Sequence, residues 1–453
     1  MFRFAPSPTG DMHIGNLRAA LINFICSRQS KRHFYLRIED SDQARNIPGK
    51  EQEIKDILQA FRLNPDAIFI QSQSLALHQE LAHALVERHL AFICYCTDEE
   101  LAQKKELAKQ RGEAYRYDGS WAANGGAAAV AAAKKSQKPY AIRLNEPKTA
   151  ITFIDEIKGS LSFEPKDIDS FVILRANGMP TYNFACCVDD MQEGVSFIIR
   201  GEDHVSNTPR QEHLRTSLNE LKRPDLAPQS PRYAHLPIVL NELGAKMSKR
   251  EAHSSISYLL ELGIIPEAIS NYLLLLGNKP PKEFFTLEEA VEFFDIKKLS
   301  KSPARFDFKL LLHLNNAHLK ALDDDELSSL LKNPHQLASS DLAALARLYL
   351  QEANTTVELD LKLSNIFTAT DFGGFDAKPL IRAIKELQSL QALPQDFELF
   401  KELLIEKSGL KGKNLFMPLR FFLSSLEKGP ELKDLYPLLR PYIGLLLQIK
   451  GDA

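Results

Sequence analysis

An α/β protein with a parallel sheet near its start and an all-α remainder is the fold class that this sequence predicts, on three observations. Short apolar strand-like runs alternate with amphipathic helical stretches over the first 90 residues, the pattern of a βαβ unit. Turn residues thin out later, with only seven of the 21 glycines after residue 280. At 453 residues the chain is too long for one core, and about one domain per ~150 residues suggests roughly three.

Taken in order, residues 2–5 are a buried strand that the Pro-Ser-Pro-Thr-Gly run at 6–10 ends. Residues 15–28 place Leu17, Leu21, Phe24 and Ile25 on one helical face, and residues 33–40 are a second strand with acidic residues at its C-terminal end. The segment 97–150 changes character. It holds charged helical stretches, the single tryptophan, Trp121, and an alanine-rich run at 122–135 that fits either a solvated helix or a slack loop. Alternation returns at 151–163, and two further strand-like runs end at Asn177-Gly178 and at 200–203. Residues 91–178 are therefore expected to interrupt the first sheet and hand the chain back. Beyond Ser254 the pattern is helical. Pro266 starts a helix that Gly277 ends. Ser340 or Asp341 caps one carrying Leu342, Leu345 and Leu348, and Asp396 caps one with Phe397, Phe400 and Leu404 on a single face. No repeat of solenoid period is present.

Composition excludes several classes. Hydrophobic residues make up 44% and charged residues 25%, which rules out bulk disorder. The net charge of −3 excludes a histone-like polycation, although eight Lys/Arg against four Asp/Glu in residues 1–50 leave a local basic face. Five cysteines in so long a chain form no disulfide framework, and no apolar run approaches the ~20 residues of a membrane span. The N-terminus lacks the layout of a signal peptide, so a soluble, reduced, cytoplasmic protein is expected.

Two motifs carry chemistry. The first, RFAPSPTGDMHIGN at 3–16, runs from a strand through a Pro/Gly turn into a helix start, where free N–H groups and the positive dipole end favour an anion. Gly10 and Gly15 would let a phosphate chain approach the backbone, and His13 could donate to a phosphate oxygen. The second, KMSKR at 246–250, offers Lys246 and Lys249 to a triphosphate and to the charge building on leaving pyrophosphate. Alone, the first is more simply a helix start with a satisfied histidine, and the second a solvated basic loop. In this order, around a βαβ unit, the pair is far more specific.

The pair resembles the HIGH and KMSKS signatures of class I aminoacyl-tRNA synthetases. With FAPSPTG, RIEDSD (37–42), PTYNFACCVDD (180–190), IIRGEDH (198–204) and YAHLPIV (233–239), the chain resembles bacterial glutamyl-tRNA synthetases. The match is strong over roughly residues 1–280 and weaker at KGKNLFMPLRFFLSS (411–425), similar to the family's anticodon-binding end. The resemblance implies a Rossmann-type parallel-sheet catalytic domain with an α+β insertion, followed by all-α anticodon-binding domains. Its layout would be a catalytic domain at 1–90 and 179–235, an inserted acceptor-stem-binding domain at 91–178, a stem-contact domain at 236–312, and helical anticodon-binding domains at 313–375 and 376–453. It also implies a monomer that activates L-glutamate with ATP and Mg2+ and transfers it to the 3′ end of tRNA(Glu), tRNA(Gln) or both.

An amino acid with two carboxylates and one ammonium needs two arginines and an acid around it. By the resemblance Arg3 would hold the side-chain carboxylate with Tyr182 adding a hydroxyl, Arg200 the other carboxylate, and Glu39 and Ser7 the ammonium. For Arg3, Glu39 and Arg200 the plainer reading is a buried ion-pair network, and for Tyr182 a core tyrosine. His13, Gly15, Asn16, Asp203, Lys246, Ser248 and Lys249 would bind ATP, with His13, Lys246 and Lys249 catalytic. Magnesium would ride on the phosphates, without protein ligands.

The sequence departs from the family in three places. Many members carry a zinc knuckle. Here Cys94 and Cys96 remain, but Trp121 and Ala123 stand at the other ligand positions, so no structural zinc is expected and Trp121 should fill the space. Cys186 replaces an asparagine that relatives often place near the substrate side chain, and a thiol is a poor hydrogen-bonding substitute for an amide. With Cys187 it otherwise makes a pair of small apolar core residues. Finally, no arginine lies between Arg347 and Arg382, where relatives restricted to tRNA(Glu) are expected to check the third anticodon base. Arg420 is the substitute candidate, and relaxed or shifted tRNA choice is expected. The rival readings are a glutaminyl-tRNA synthetase, a shorter relative that glutamylates a tRNA base, and a non-catalytic tRNA-binding paralogue. The arginine set, the helical remainder, and intact His13, Lys246 and Lys249 count against them in turn.

Overall fold

Phe2, Arg3 and Phe4 form β1 (Phe2–Phe4), which stops short of two prolines that cannot donate to a ladder. The computed structural model describes every residue except Gln229, Lys249, Arg250, Asp452 and Ala453. After β1 come α1 (Ile14–Gln29), β2 (Phe34–Ile38), α2 (Lys50–Ala60) and β3 (Ala67–Ile70). β2 pairs in parallel with both β1 and β3, the βαβ arrangement the alternation predicts. α1 is buried on most of its surface, beyond the single face read from periodicity, because Ala20, Ile22 and Cys26 are covered along with Leu17, Leu21 and Ile25.

Next follow α3 (Leu75–Glu87), β4 (Ala91–Cys94), α4 (Asp98–Gln110), α5 (Ala127–Ser136), β5 (Ala141–Leu144), β6 (Ile151–Asp155), β7 (Gly159–Phe163) and β8 (Val172–Leu174). The alanine-rich run is thus a helix, held by Ala129, Val130 and Ala133 packing into one core with Leu81 and Leu85. β4, β5 and β8 form an antiparallel sheet. The chain continues through α6 (Tyr182–Gln192), β9 (Phe197–Gly201), α7 (Thr208–Asn219) and β10 (Arg232–Leu236). A second sheet has the order β7-β6-β10-β9, with β10 parallel to both β6 and β9. The 151–163 hairpin therefore lies on the β9–β10 sheet rather than with the rest of segment 91–178. Asp155, at the end of β6, takes the His235 backbone N–H of β10 at 3.0 Å. The Ser196 N–H donates to Met1 O at 3.2 Å, and Phe2 packs against Phe197 with ring centroids 5.8 Å apart, so β1 and β9 start side by side. The C-terminal ends of these parallel strands open on one edge, where α/β sheets bind ligands.

β11 (Val239–Leu240), α8 (Ile256–Glu261), α9 (Pro266–Leu275), α10 (Leu287–Phe293) and β12 (Ala304–Arg305) follow, with β11 parallel to β12. The expected start at Pro266 holds, and Gly277 sits beyond the helix with φ +68°. By its contacts the chain divides into two units, one of Met1–Ser257 with Ser270–Asp307 and one of Tyr258–Ile269 with Phe308–Ala453.

The second unit contains α11 (Phe308–Ala321), α12 (Asp324–Ser329), α13 (Ser339–Tyr349), α14 (Thr356–Ile366), α15 (Lys378–Ser389), α16 (Phe397–Ser408), α17 (Lys413–Ser424), α18 (Leu432–Leu439) and α19 (Ile443–Lys450), with no strand among its described residues. Asp396 caps α16 as expected, accepting the Leu399 N–H at 2.9 Å, while Phe397, Phe400 and Leu404 are buried. The cap expected for α13 is different. The helix starts at Ser339 behind Ala338, and the Asp341 carboxylate instead accepts from the Tyr442 hydroxyl at 2.7 Å. Among the described residues no helix is long and apolar enough to cross a membrane.

Candidate active site

The turn after β1 delivers the first motif as a helix cap. His13 is the N-cap of α1, its Nδ1 accepting the Gly15 N–H at 3.0 Å, while its own N–H reaches Asn16 Oδ1 at 3.4 Å. An Nδ1 that accepts leaves the ring proton of the neutral imidazole on Nε2, so His13 presents a donor there. A Cβ on Gly15 would lie 2.9 Å from His13 Cε1, whereas a Cβ on Gly10 would meet nothing within 4 Å. Gly15 is therefore required by the histidine ring folded over it. The role expected for it, close approach of a phosphate, suits Gly10 better.

At the C-terminal strand ends lies a network of buried charges. Arg3 donates to both oxygens of Asp190, Nε to Oδ1 at 2.9 Å and Nη2 to Oδ2 at 3.3 Å. Arg37, fully buried, is 2.8 Å from both Asp190 and Glu193 and 3.3 Å from Glu39. Burial alone would raise the Asp190 pKa, but Arg3, Arg37 and Arg215 outweigh it and hold the carboxyl well below its usual range. Burial dominates at Glu193, pushing it up to about 7, and raises Glu39 against the pull of Arg37 and Arg3. The ion-pair reading of Arg3 and Glu39 holds, and both residues also line the cavity described below.

Arg200, on β9, donates to His235 Nε2 at 3.2 Å and to Thr208 Oγ1 at 2.7 Å. Tyr182 opens α6, its hydroxyl 3.1 Å from His204 Nδ1. It is half-buried on the cavity wall, so the core reading does not apply. The two cysteines part company. Cys187 joins the core, whereas Cys186 lines the cavity with Sγ 3.4 Å from Arg37 Nη2. Ser248 donates its N–H to Glu251 at 3.0 Å, and Lys246 is exposed on the same loop. Lys249 lies outside the described residues.

One cavity of about 630 Å³ gathers these groups, a volume that suits a small organic ligand. Arg3, Ser7, His13, Gly15, Asn16, Glu39, Tyr182, Arg200, Asp203, Lys246 and Ser248 all line it, although they come from distant parts of the chain. Arg18 also lines it and escaped sequence reasoning. It is buried and donates to the carbonyls of Pro237 at 3.1 Å and Leu276 at 2.7 Å, and burial lowers its pKa to about 10. Arg37, Asp190 and His235 were missed too, although each sits in a motif quoted for its neighbours.

The cysteine pair corrects another expectation. Tyr117, rather than Trp121, takes the space beside it, with its hydroxyl 3.5 Å from Cys94 Sγ and 3.9 Å from Cys96 Sγ. Arg143 covers the Tyr117 ring at 4.0 Å, whereas Trp121 packs edge-on against Tyr95 and stays 37% exposed. Two thiols and a phenol do not close a tetrahedral zinc site of the usual N/S type, and among the described residues no three His, Cys, Asp or Glu side chains are grouped to hold a metal ion. In the second unit, Arg420 Nη1 donates to Pro430 O at 3.0 Å, and Arg347 pairs with Asp324 at 2.8 Å.

Residues 1–313 match the family model described as tRNA synthetases class I (E and Q), catalytic domain. The chain is 54% identical to glutamate–tRNA ligase 1 of Campylobacter jejuni over 449 residues, 99% of this chain and all of that protein. It is 47% identical to glutamate–tRNA ligase 1 of a Nitratiruptor species over 99% of this chain and all of that one. Among solved structures, a glutamate tRNA ligase from Elizabethkingia meningosepticum in complex with its amino acid superposes with a TM-score of 0.80 at 26% identity, covering 99% of this chain and 98% of that one.

Proposed function

The chain belongs to the class I tRNA synthetases of the glutamate and glutamine type, and on that footing we propose that it is a glutamate–tRNA ligase. It activates glutamate with ATP and passes the glutamyl group to the 3′ end of a tRNA. The observation that carries the reading is the meeting of eleven side chains and backbone positions, assigned from separate motifs, on one cavity of about 630 Å³.

The chemistry follows from the ends of that cavity. Arg3 and Arg200 neutralise the two glutamate carboxylates, and Glu39 with Ser7 receives the ammonium, so a substrate lacking the second negative charge forgoes the charge-assisted contact with Arg3. The α-carboxylate oxygen attacks the α-phosphorus of ATP, forming the adenylate and releasing pyrophosphate. The Nε2–H of His13 donates to a phosphate oxygen. Lys246, with Lys249 by its place in the motif, stabilises the charge that develops on the leaving group. Asn16 holds the His13 backbone, Asp203 takes the ribose, and Ser248 belongs to the same loop. Magnesium, which accompanies ATP, neutralises phosphate charge. For tRNA, residues 91–178 and 236–312 serve the acceptor stem, and residues 313–375 and 376–453 the anticodon.

The experiment is glutamate-dependent ATP–pyrophosphate exchange in the presence of tRNA, followed by charging of purified tRNA(Glu) and tRNA(Gln) side by side. Exchange absent with intact protein makes the chain a tRNA-binding paralogue. With no arginine between positions 347 and 382 to fork onto a base edge, discrimination between the two tRNAs is expected to be relaxed or shifted toward tRNA(Gln). A kcat/KM preference for tRNA(Glu) above roughly 10³, about 4 kcal/mol, would show that discrimination is intact.

A further inference from the structure

Asp155 and His235 are both completely buried and neither lines the cavity, yet His235, held by Asp155, touches one of its arginines. His235 Nδ1 lies 2.6 Å from Asp155 Oδ2, which also accepts the His235 backbone N–H at 3.0 Å. Asp155 Oδ1 accepts the amides of Ile157 at 2.9 Å and Lys158 at 2.7 Å. Against the effect of burial, these donors hold the carboxyl below its usual range, and it is therefore ionised. An ionised carboxylate only accepts, so the ring proton of His235 sits on Nδ1 and Nε2 is left as an acceptor. Only that tautomer can receive the Arg200 Nε–H at 3.2 Å. Burial keeps the ring neutral against the pull of Asp155, aided by the charges of Arg200 and Lys158.

Thr208 completes the clamp. Its hydroxyl accepts from Arg200 Nη2 at 2.7 Å and lies 3.1 Å from His235 Nε2. Two hydrogen bonds to different nitrogens fix the plane of a guanidinium as well as its position. The third nitrogen, Nη1, is buried without a hydrogen-bond partner among the described residues. We propose that His235, its tautomer fixed by Asp155, is a positioning residue for the amino-acid substrate, setting through Arg200 the plane of the guanidinium that meets a glutamate carboxylate. This rests on the reading of Arg200 as a glutamate contact.

Two substitutions separate this role from a merely structural one. His235→Asn keeps an N–H directed at Asp155 but takes the acceptor away from Arg200. His235→Gln places an amide oxygen where Nε2 was and loses the link to Asp155. The account expects His235→Asn to raise the glutamate KM on the order of 10-fold, with the ATP KM unchanged and kcat moved less, as loss of one buried hydrogen-bond partner does. His235→Gln should recover most of that loss. A structural role predicts the reverse order, and either that order or equal damage in both variants overturns the proposal. Where neither variant folds, as judged by urea denaturation, Thr208→Val removes the other acceptor and must give the same KM-selective effect. Arg200→Ala is the control. If it leaves the glutamate KM unchanged, the assignment of Arg200 itself is wrong. If it raises KM while His235→Asn does not, the assignment stands and the positioning role fails.

Discussion

At the end of the cavity proposed for the amino acid the polar groups are buried side chains already committed to one another, whereas at the end proposed for the nucleotide they are a helix start and exposed side chains on a loop. Arg37, Asp190 and Arg3 are 0%, 1% and 4% exposed and share their charges. His13 and Gly15 are half-buried, and Lys246 and Ser248 are exposed. The first arrangement is preorganised: the arginine planes are fixed beforehand, so a carboxylate bound there as proposed would spend little on ordering them. The second leaves room for groups to follow charge as it moves from the α-phosphate to pyrophosphate. The difference teaches where a substitution should register. Damage at the amino-acid end costs fold stability along with glutamate binding, and damage at the nucleotide end costs rate alone.

The strongest way to break this contrast is Arg37→Met. It leaves Asp190 and Glu193 buried without the cation 2.8 Å from each, and removing one partner of a buried pair costs about 3–5 kcal/mol. Urea denaturation of the purified protein should show a loss of that size, and a loss below about 1 kcal/mol would mean that the network is slack. Arg3→Ala comes next and should register twice. Glutamate binding weakens by about 2–5 kcal/mol, and that loss largely vanishes for glutamine as a competitor, which lacks the charge. The unfolding midpoint also falls, because Asp190 loses a two-point partner.

At the nucleotide end Lys246→Ala should slow adenylation by roughly 10²-fold with an unchanged unfolding midpoint, read by single-turnover kinetics beside a thermal melt. An equal drop in stability would erase the contrast. Gly15→Ala should cost less, about 10-fold in rate, because the new methyl must push the His13 ring from a contact of 2.9 Å. The smallest effect concerns acid. His235 has its pKa lowered, mainly by burial, so between its ordinary value of 6.5 and its lower folded value the unfolded chain binds more protons than the folded one. Its contribution to stability is full above pH 6.5 and is lost as pH falls. Asp190, held low, adds a further loss below the ordinary carboxylate range near 3.8. His235→Asn should therefore flatten the pH dependence of stability below about pH 6.5, while Lys246→Ala should leave it unaltered.

Much of this was legible in the sequence, and the remainder for identifiable reasons was not. The βαβ start follows from alternation and the Asp396 cap from one local side-chain bond, and both are as expected. The nucleotide end follows from a contiguous motif, since cap and helix lie within four residues of His13. What lay hidden depends on distant partners. Asp341 looks like a cap until Tyr442, about a hundred residues on, takes its carboxylate. Tyr117, rather than Trp121, lies beside the cysteine pair, where Phe92 stacks on its ring and Arg143 covers it, contacts that no spacing rule encodes. The His235–Asp155 pair needs the 151–163 hairpin on the β10 sheet, a long-range pairing that alternation alone does not reveal.

On this reading the buried arginines Arg3 and Arg200 select an amino acid with two carboxylates, one of them on the side chain, and substrate choice in the first step is the sharpest check. ATP–pyrophosphate exchange should be measured with glutamate and with glutamine under identical conditions, in the presence of tRNA. The account predicts exchange with glutamate and a kcat/KM for glutamine at least ~10³-fold lower, equivalent to about 4 kcal/mol. Comparable exchange with both amino acids, or a preference for glutamine, would contradict it.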